Sequence, residues 1–134
     1  MAKAIQRALV DGGLGTAEVD YINAHGTGTP GNDPTESKAI RRVFGAHADR
    51  LAVSSTKSMH AHALGAAGAI ELVATIGALR EGVAPPTMNF LDPDPECDLD
   101  YVPNAARELP VRAALSNSFA FGGLNAVLAL RRAP

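Results

Sequence analysis

The chain has 134 residues, 46% of them hydrophobic and 19% charged, with Lys+Arg 12 against Asp+Glu 14. That is one domain's worth of sequence, able to bury a core without disulfides or structural metal. The balanced charge excludes the basic excess that nucleic acid or an anionic membrane attracts. Cys97 is the single cysteine, so no internal bridge can form. With no long apolar secretory core at the N-terminus, the expected setting is reducing and cytoplasmic.

Taken in chain order, Lys3 to Val10 place Ile5, Ala8 and Leu9 on one helical face, and Gly12-Gly13 form a natural stop. Val19 to Ala24 is a β-prone run ending at His25, and Asp33 to His47 carries helical spacing through Ala39, Ile40, Val43 and Phe44. Leu51 to Ser54 predicts a second strand, followed by a loop through His62 and a helix beginning near Leu64. The apolar run Leu64 to Leu79 contains Glu71 and is too short for a bilayer span, so it reads as a buried helix. "GVAPPTMNFLDPDPECD" concentrates Pro, Asp and Asn and predicts a long surface connection. Strands from Val111 to about Ser118 and from Leu124 to Leu130 flank "FAFGG", a turn suited to a hairpin. The class is α/β with a mixed sheet.

Three loops in this order carry chemistry. In "YINAHGTGTPGNDPTE", Gly26, Gly28 and Gly31 have the spacing of a dinucleotide fingerprint. That fingerprint needs glycines leading straight into a helix whose free N–H groups meet pyrophosphate. Here Asp33 is placed as N-cap, Pro34 at the first helical position and Glu36 as the capping-box partner, and the two carboxylates repel phosphate. A P-loop fails as well, because Asn32-Asp33 stands where Lys-Ser/Thr is required. Read as chemistry, the loop sets His25 at a strand end, with Thr27 and Thr29 as hydroxyl donors.

The second loop, "SSTKSMHAHALGAAG", offers Lys57, His60 and His62 at the equivalent end of the sheet, where open α/β folds collect ligands. His60-x-His62 is half a metal site without further ligands, and no metal is expected. Ser54-x-x-Lys57 matches a penicillin-binding motif whose K-T-G companion is missing. Glu71, deep in an apolar segment, needs a cationic partner, and Lys57 in the loop before the helix is the candidate. The third loop, "SNSFAFGGLNA", puts Phe119 and Phe121 beside a glycine pair, where backbone N–H groups can form an oxyanion hole and a ring can gate a channel.

Together, "NAHGTGTPGNDPTE", "SSTKSMHAHALGAAGAIE" and "SNSFAFGG" resemble the two histidine loops and the gating turn in the C-terminal half of β-ketoacyl-acyl-carrier-protein synthases, condensing enzymes of the thiolase fold. The match runs over essentially the whole chain, 1–134, as one synthase C-terminal domain. The resemblance implies half of a thiolase-like fold, with a mixed five-stranded sheet and helices on both faces, one of them buried. It implies that His25 and His62 hydrogen-bond the malonyl thioester carbonyl as carbon dioxide leaves. Lys57 would order the site through Asp33, Glu36 and Glu71. Thr27 and Thr29 would bind the phosphopantetheine arm of acyl carrier protein, and no cofactor of the chain's own is called for. Phe121 would gate the acyl chain with its N–H in the oxyanion hole, beside Phe119. On this reading the loop glycines admit a pantetheine arm and thioester to His25.

His60-Ala61 stands where the family commonly has Thr-Gly, Ala120 where it has Gly and Leu124 where it has Thr, variants that resemble the nodulation-type branch. His60 then reads as a pocket or supporting residue. Condensation in the family also needs a nucleophilic cysteine, which belongs to an N-terminal half outside this sequence. Cys97, among Asp94, Glu96 and Asp98, is no replacement, because negative charge raises a thiol pKa. The expected partners are therefore acyl carrier protein, an N-terminal ketosynthase half, and other copies of the chain through an uncovered apolar helix. The competing reading is a non-catalytic module that serves as assembly partner or carrier-protein binder.

Overall fold

A computed structural model describes residues 1–133. Its principal elements are α1 (Ala2–Asp11), β1 (Tyr21–Asn23), α2 (Asp33–Phe44), β2 (Ala52–Ser54), α3 (Lys57–His60) and α4 (Ala67–Glu81). They continue with β3 (Val83–Ala84), β4 (Arg107–Glu108), β5 (Ala113–Phe119) and β6 (Asn125–Arg131). The main sheet runs β2-β1-β5-β6, with β1 parallel to both β2 and β5, and β6 antiparallel to β5.

Among the described residues the expected five strands of this sheet are four. At the place of a fifth, only Asp100 bridges Ala52, its carbonyl accepting the Val53 N–H at 2.8 Å. The approach to it is "LDPDPECD", and proline has no N–H for a ladder, so pairing does not extend. The connection after α4 is also more ordered than its composition implied: β3 and β4 pair antiparallel at its two ends. Its acidic residues meet α2, through Asp98 with Arg41 and Glu96 with Lys38.

Strand side chains alternate between two layers. Ile22, Val53 and Leu115 face α1 and α2, packing with Ile5, Leu9, Ile40 and Phe44. Tyr21, Ala52 and Ala114 face the other way, onto Ala78 and Leu79 of α4. Helix α4 is apolar all round, but it is buried on one face only, through Ala67, Glu71, Thr75, Ala78 and Leu79. Its opposite face leaves Ile70, Val73 and Ile76 in solvent, Val73 71% exposed. The glycines at its start are not what brings it close: a Cβ on Gly65 meets nothing within 4 Å, and one on Gly68 makes an ordinary contact at 3.5 Å.

Candidate active site

β1, β2 and β5 run parallel, so the loops leaving their C-terminal ends open on one edge of the sheet. The first of these, at His25, is held from below by Glu36. Its Oε1 and Oε2 accept the His25 and Gly26 N–H groups, each at 2.9 Å. Asn117 and Asn32 side chains donate to the same carboxylate at 3.0 and 3.2 Å. Burial pushes the Glu36 pKa up, and these bonds oppose it. The expected capping box is therefore corrected: Asn32 is the N-cap residue of α2, Asp33 lies inside the helix, and no side chain caps it. Glu36 instead brackets the loop ten residues upstream.

Gly26 shows where glycine is required. Its φ is +39°, and a Cβ there would lie 2.5 Å from Ser55 Cβ, closer than packing allows. Ser55 Oγ donates to the Gly26 carbonyl at 2.6 Å, joining the first loop to the second. Gly28 and Gly31 have open space around them and leave room for a ligand.

The rings of His25 and His62 stand 5.5 Å apart, edge to face at 84°. Phe119, at the end of β5, places its ring 6.0 Å from His25. Burial, then the charge of Lys57 and then His62, push the His25 pKa down to about 4, so this imidazole is neutral at ordinary pH. His62 Nδ1 accepts the Leu64 N–H at 3.3 Å, which leaves the proton of a neutral ring on Nε2, free to donate.

Lys57 makes a buried ion pair with Glu71, the two side chains being 5% and 1% exposed. Asp33 and Glu36 form no ion pair with Lys57 here; Asp33 Oδ1 accepts from Asn32 at 3.0 Å. The Thr27 and Thr29 hydroxyls lie 3.0 Å apart on the wall of a cavity of about 800 Å³, which is also lined by Gly26, Lys57 and His62. Cys97 also lines this cavity. Burial first, then Asp94 and Asp33, raise its thiol pKa against bonds from Ser37 and Tyr101. Phe121 is fully exposed at the start of a turn with Gly122 and Gly123 at φ 78° and 83°. Among the described residues no cluster of three His, Cys, Asp or Glu could hold a metal ion.

Sequence reasoning passed over Asn23, Ser55 and Asn117. Asn23 is buried at the end of β1 and donates to Thr56 Oγ1, the Glu71 carbonyl and Thr75 Oγ1 at 3.2–3.3 Å. The signal was present: Ser116-Asn117 interrupts an apolar strand, and buried polar residues need partners. The site thus offers two imidazoles and a buried cation beside open backbone, a set suited to stabilising negative charge on a carbonyl oxygen.

Comparison with known proteins gives the family. The family model for the C-terminal domain of beta-ketoacyl synthases matches residues 1–91. Nodulation protein E of Rhizobium sp. (strain N33) is 60% identical over 129 residues, covering 96% of this chain and 32% of that protein. A Synechocystis 3-oxoacyl-[acyl-carrier-protein] synthase 2 is 58% identical over 130 residues, covering 97% of this chain and 31% of the synthase. Among solved structures, a type II polyketide ketosynthase in complex with its acyl-carrier protein superposes with a TM-score of 0.96 at 42% identity, over 99% of this chain and 33% of that one. The chain spans about a third of the length of the curated relatives it matches. It belongs to the family of beta-ketoacyl synthase C-terminal domains.

Proposed function

We propose that this chain is a single domain that supplies the decarboxylation half of a condensing site. His25 and His62 donate to the carbonyl oxygen of a malonyl thioester. As the bond between its α-carbon and carboxylate breaks, carbon dioxide leaves and the electron pair passes into an enolate whose oxygen both imidazoles hold. The enolate carbon then attacks an acyl thioester held on a cysteine, and that thiolate departs. The cysteine comes from a complementary N-terminal half, and the exposed face of α4 is where that half packs. The malonyl group arrives on the phosphopantetheine of an acyl carrier protein, past Thr27 and Thr29. Phe121 gates the acyl chain, and its N–H joins the oxyanion hole beside Phe119. Lys57 with Glu71, and Asp33 and Glu36 beneath the first loop, keep the donors in place.

The observation that supports this most is the 5.5 Å pair of imidazoles, with the His25 pKa depressed to about 4. A ring that stays neutral donates to an enolate without first having to lose or share a charge. The test is release of labelled carbon dioxide from carboxyl-labelled malonyl-carrier protein by the chain assembled with a ketosynthase N-terminal half. His25→Ala or His62→Ala is expected to lower release on the order of a hundredfold or more, and Cys97→Ser to change it little. Full activity in both histidine variants would refute the assignment.

A further inference from the structure

The proposed chemistry leaves His60 without a role, yet both of its ring nitrogens are engaged. Nδ1 lies 2.8 Å from the Ala61 carbonyl oxygen and Nε2 3.1 Å from Thr56 Oγ1. Neither nitrogen is free to meet a substrate. Thr56 is one helical turn before His60, so the ring spans from that turn to the first residue beyond α3. That residue, Ala61, has φ 62° and ψ −179°, a combination that essentially only glycine adopts. An L side chain held there needs the surrounding structure to hold it. Ala61 also immediately precedes His62, and its carbonyl belongs to the peptide that sets the direction of the His62 Cα–Cβ bond.

We propose that His60 is a positioning residue for His62: its ring pins the strained Ala61 peptide and thereby fixes the His62 imidazole opposite His25. With one proton on the ring, a single arrangement satisfies both of its nitrogens, and it leaves Asn23 Oδ1 without the Thr56 hydroxyl 3.3 Å away. His60 carries its proton on Nδ1 and donates to the Ala61 carbonyl, and the Thr56 hydroxyl donates to Nε2. Thr56 Oγ1 then accepts from Asn23 Nδ2 at 3.2 Å, and Asn23 also donates to the Glu71 carbonyl. The ring is so anchored, through two buried polar residues, to the end of the central strand β1. Leu64, whose N–H reaches His62 Nδ1, has a positive φ of 49°. The segment holding His62 is thus constrained on both sides by backbone that relaxes if its ties are cut.

The inference rests on the reading of His62 as a group that touches the thioester, and its test separates the two. The chain, labelled with 15N only at histidine, is measured by magic-angle-spinning spectroscopy, which tolerates self-association. His60 is expected to show a protonated Nδ1 and bare Nε2, and His62 a single tautomer protonated at Nε2. In His60→Ala, and in His60→Phe, which keeps a flat ring without nitrogens, His62 is expected to split between tautomers. Adding Ala61→Gly, which takes this conformation without strain, is expected to restore the single form. In the assembled enzyme, His60→Phe should lower kcat about tenfold with KM unchanged, and Ala61→Gly should bring it back to within about threefold, a coupling of the size seen between residues in contact. An unchanged His62 spectrum in both His60 variants, or His60 protonated at Nε2 alone, overturns the proposal. Full activity in His62→Ala would instead remove the functional reading, and the spectra would still decide the positioning.

Discussion

The first and third loops of the site lie at the same edge of one sheet and are built in opposite ways. The His25 loop is tied down by this chain alone. Glu36 takes two of its N–H groups, Ser55 is wedged against Gly26 and bonded to its carbonyl, and Phe119 packs beside the ring. The turn from Phe121 to Gly123 has two glycines at positive φ and a fully exposed ring. The electrostatic half of the site is organised within the chain: the buried Glu36 carboxylate has four donors, while Glu71 Oε2 and Asn117 Oδ1 lie buried without a partner among the described residues. The turn is tied only at its own ends, by the Ala120 N–H on the Leu124 carbonyl and the Asn125 side chain on the Gly123 carbonyl, and its ring stays in solvent.

The organised half of the site is most vulnerable at its buried cation. Lys57→Met leaves Glu71 buried and uncompensated and is expected to cost about 3–5 kcal/mol. Denaturant unfolding measures this, and pairing the change with Glu71→Leu should recover most of the loss. A smaller effect is expected at the crossing of the first two loops. Gly26→Ala puts a methyl into Ser55 and should cost roughly 1–3 kcal/mol, whereas Gly28→Ala, in open space, pays only for its positive φ of 70°. Equal costs at the two glycines would mean that the Ser55 contact does not shape the loop. The least effect is expected at the turn. Phe121→Ala should change the free energy of unfolding by no more than about 0.5 kcal/mol, yet lower condensation in the assembled enzyme. A large loss of stability in the chain itself would show that the turn is packed after all.

Much of the fold was legible because the pattern was local. The order strand, loop, helix occurs twice with matching loop positions, and "FAFGG" between two apolar runs marked the β5–β6 hairpin. The Lys57–Glu71 pair was legible too, since a carboxylate among apolar neighbours demands a cation. What escaped was non-local. Glu36 has the spacing of a capping box, and its turn toward His25 depends on Asn117, 81 residues away, closing the other side. Asp98 and Glu96 read only as acidic neighbours of Cys97 in a surface connection, because their partners, Arg41 and Lys38, lie on another element. The fifth strand was expected from the resemblance alone: the residues themselves mark the four that form, and a single bridge at Asp100 stands in the place of the fifth.

The central claim is that His25 is held neutral in a site organised by this chain. Following the His25 ring signal from pH 8 to pH 3 tests it most directly. Because folding depresses this pKa, the unfolded chain takes the proton first, so acidification from about 6.5 to about 4 removes stability and the loss is reversed above that window. The expected His25 midpoint is near 4, with thermal stability falling across the same interval. A midpoint near 6.5, unmoved by Lys57→Met, would contradict it.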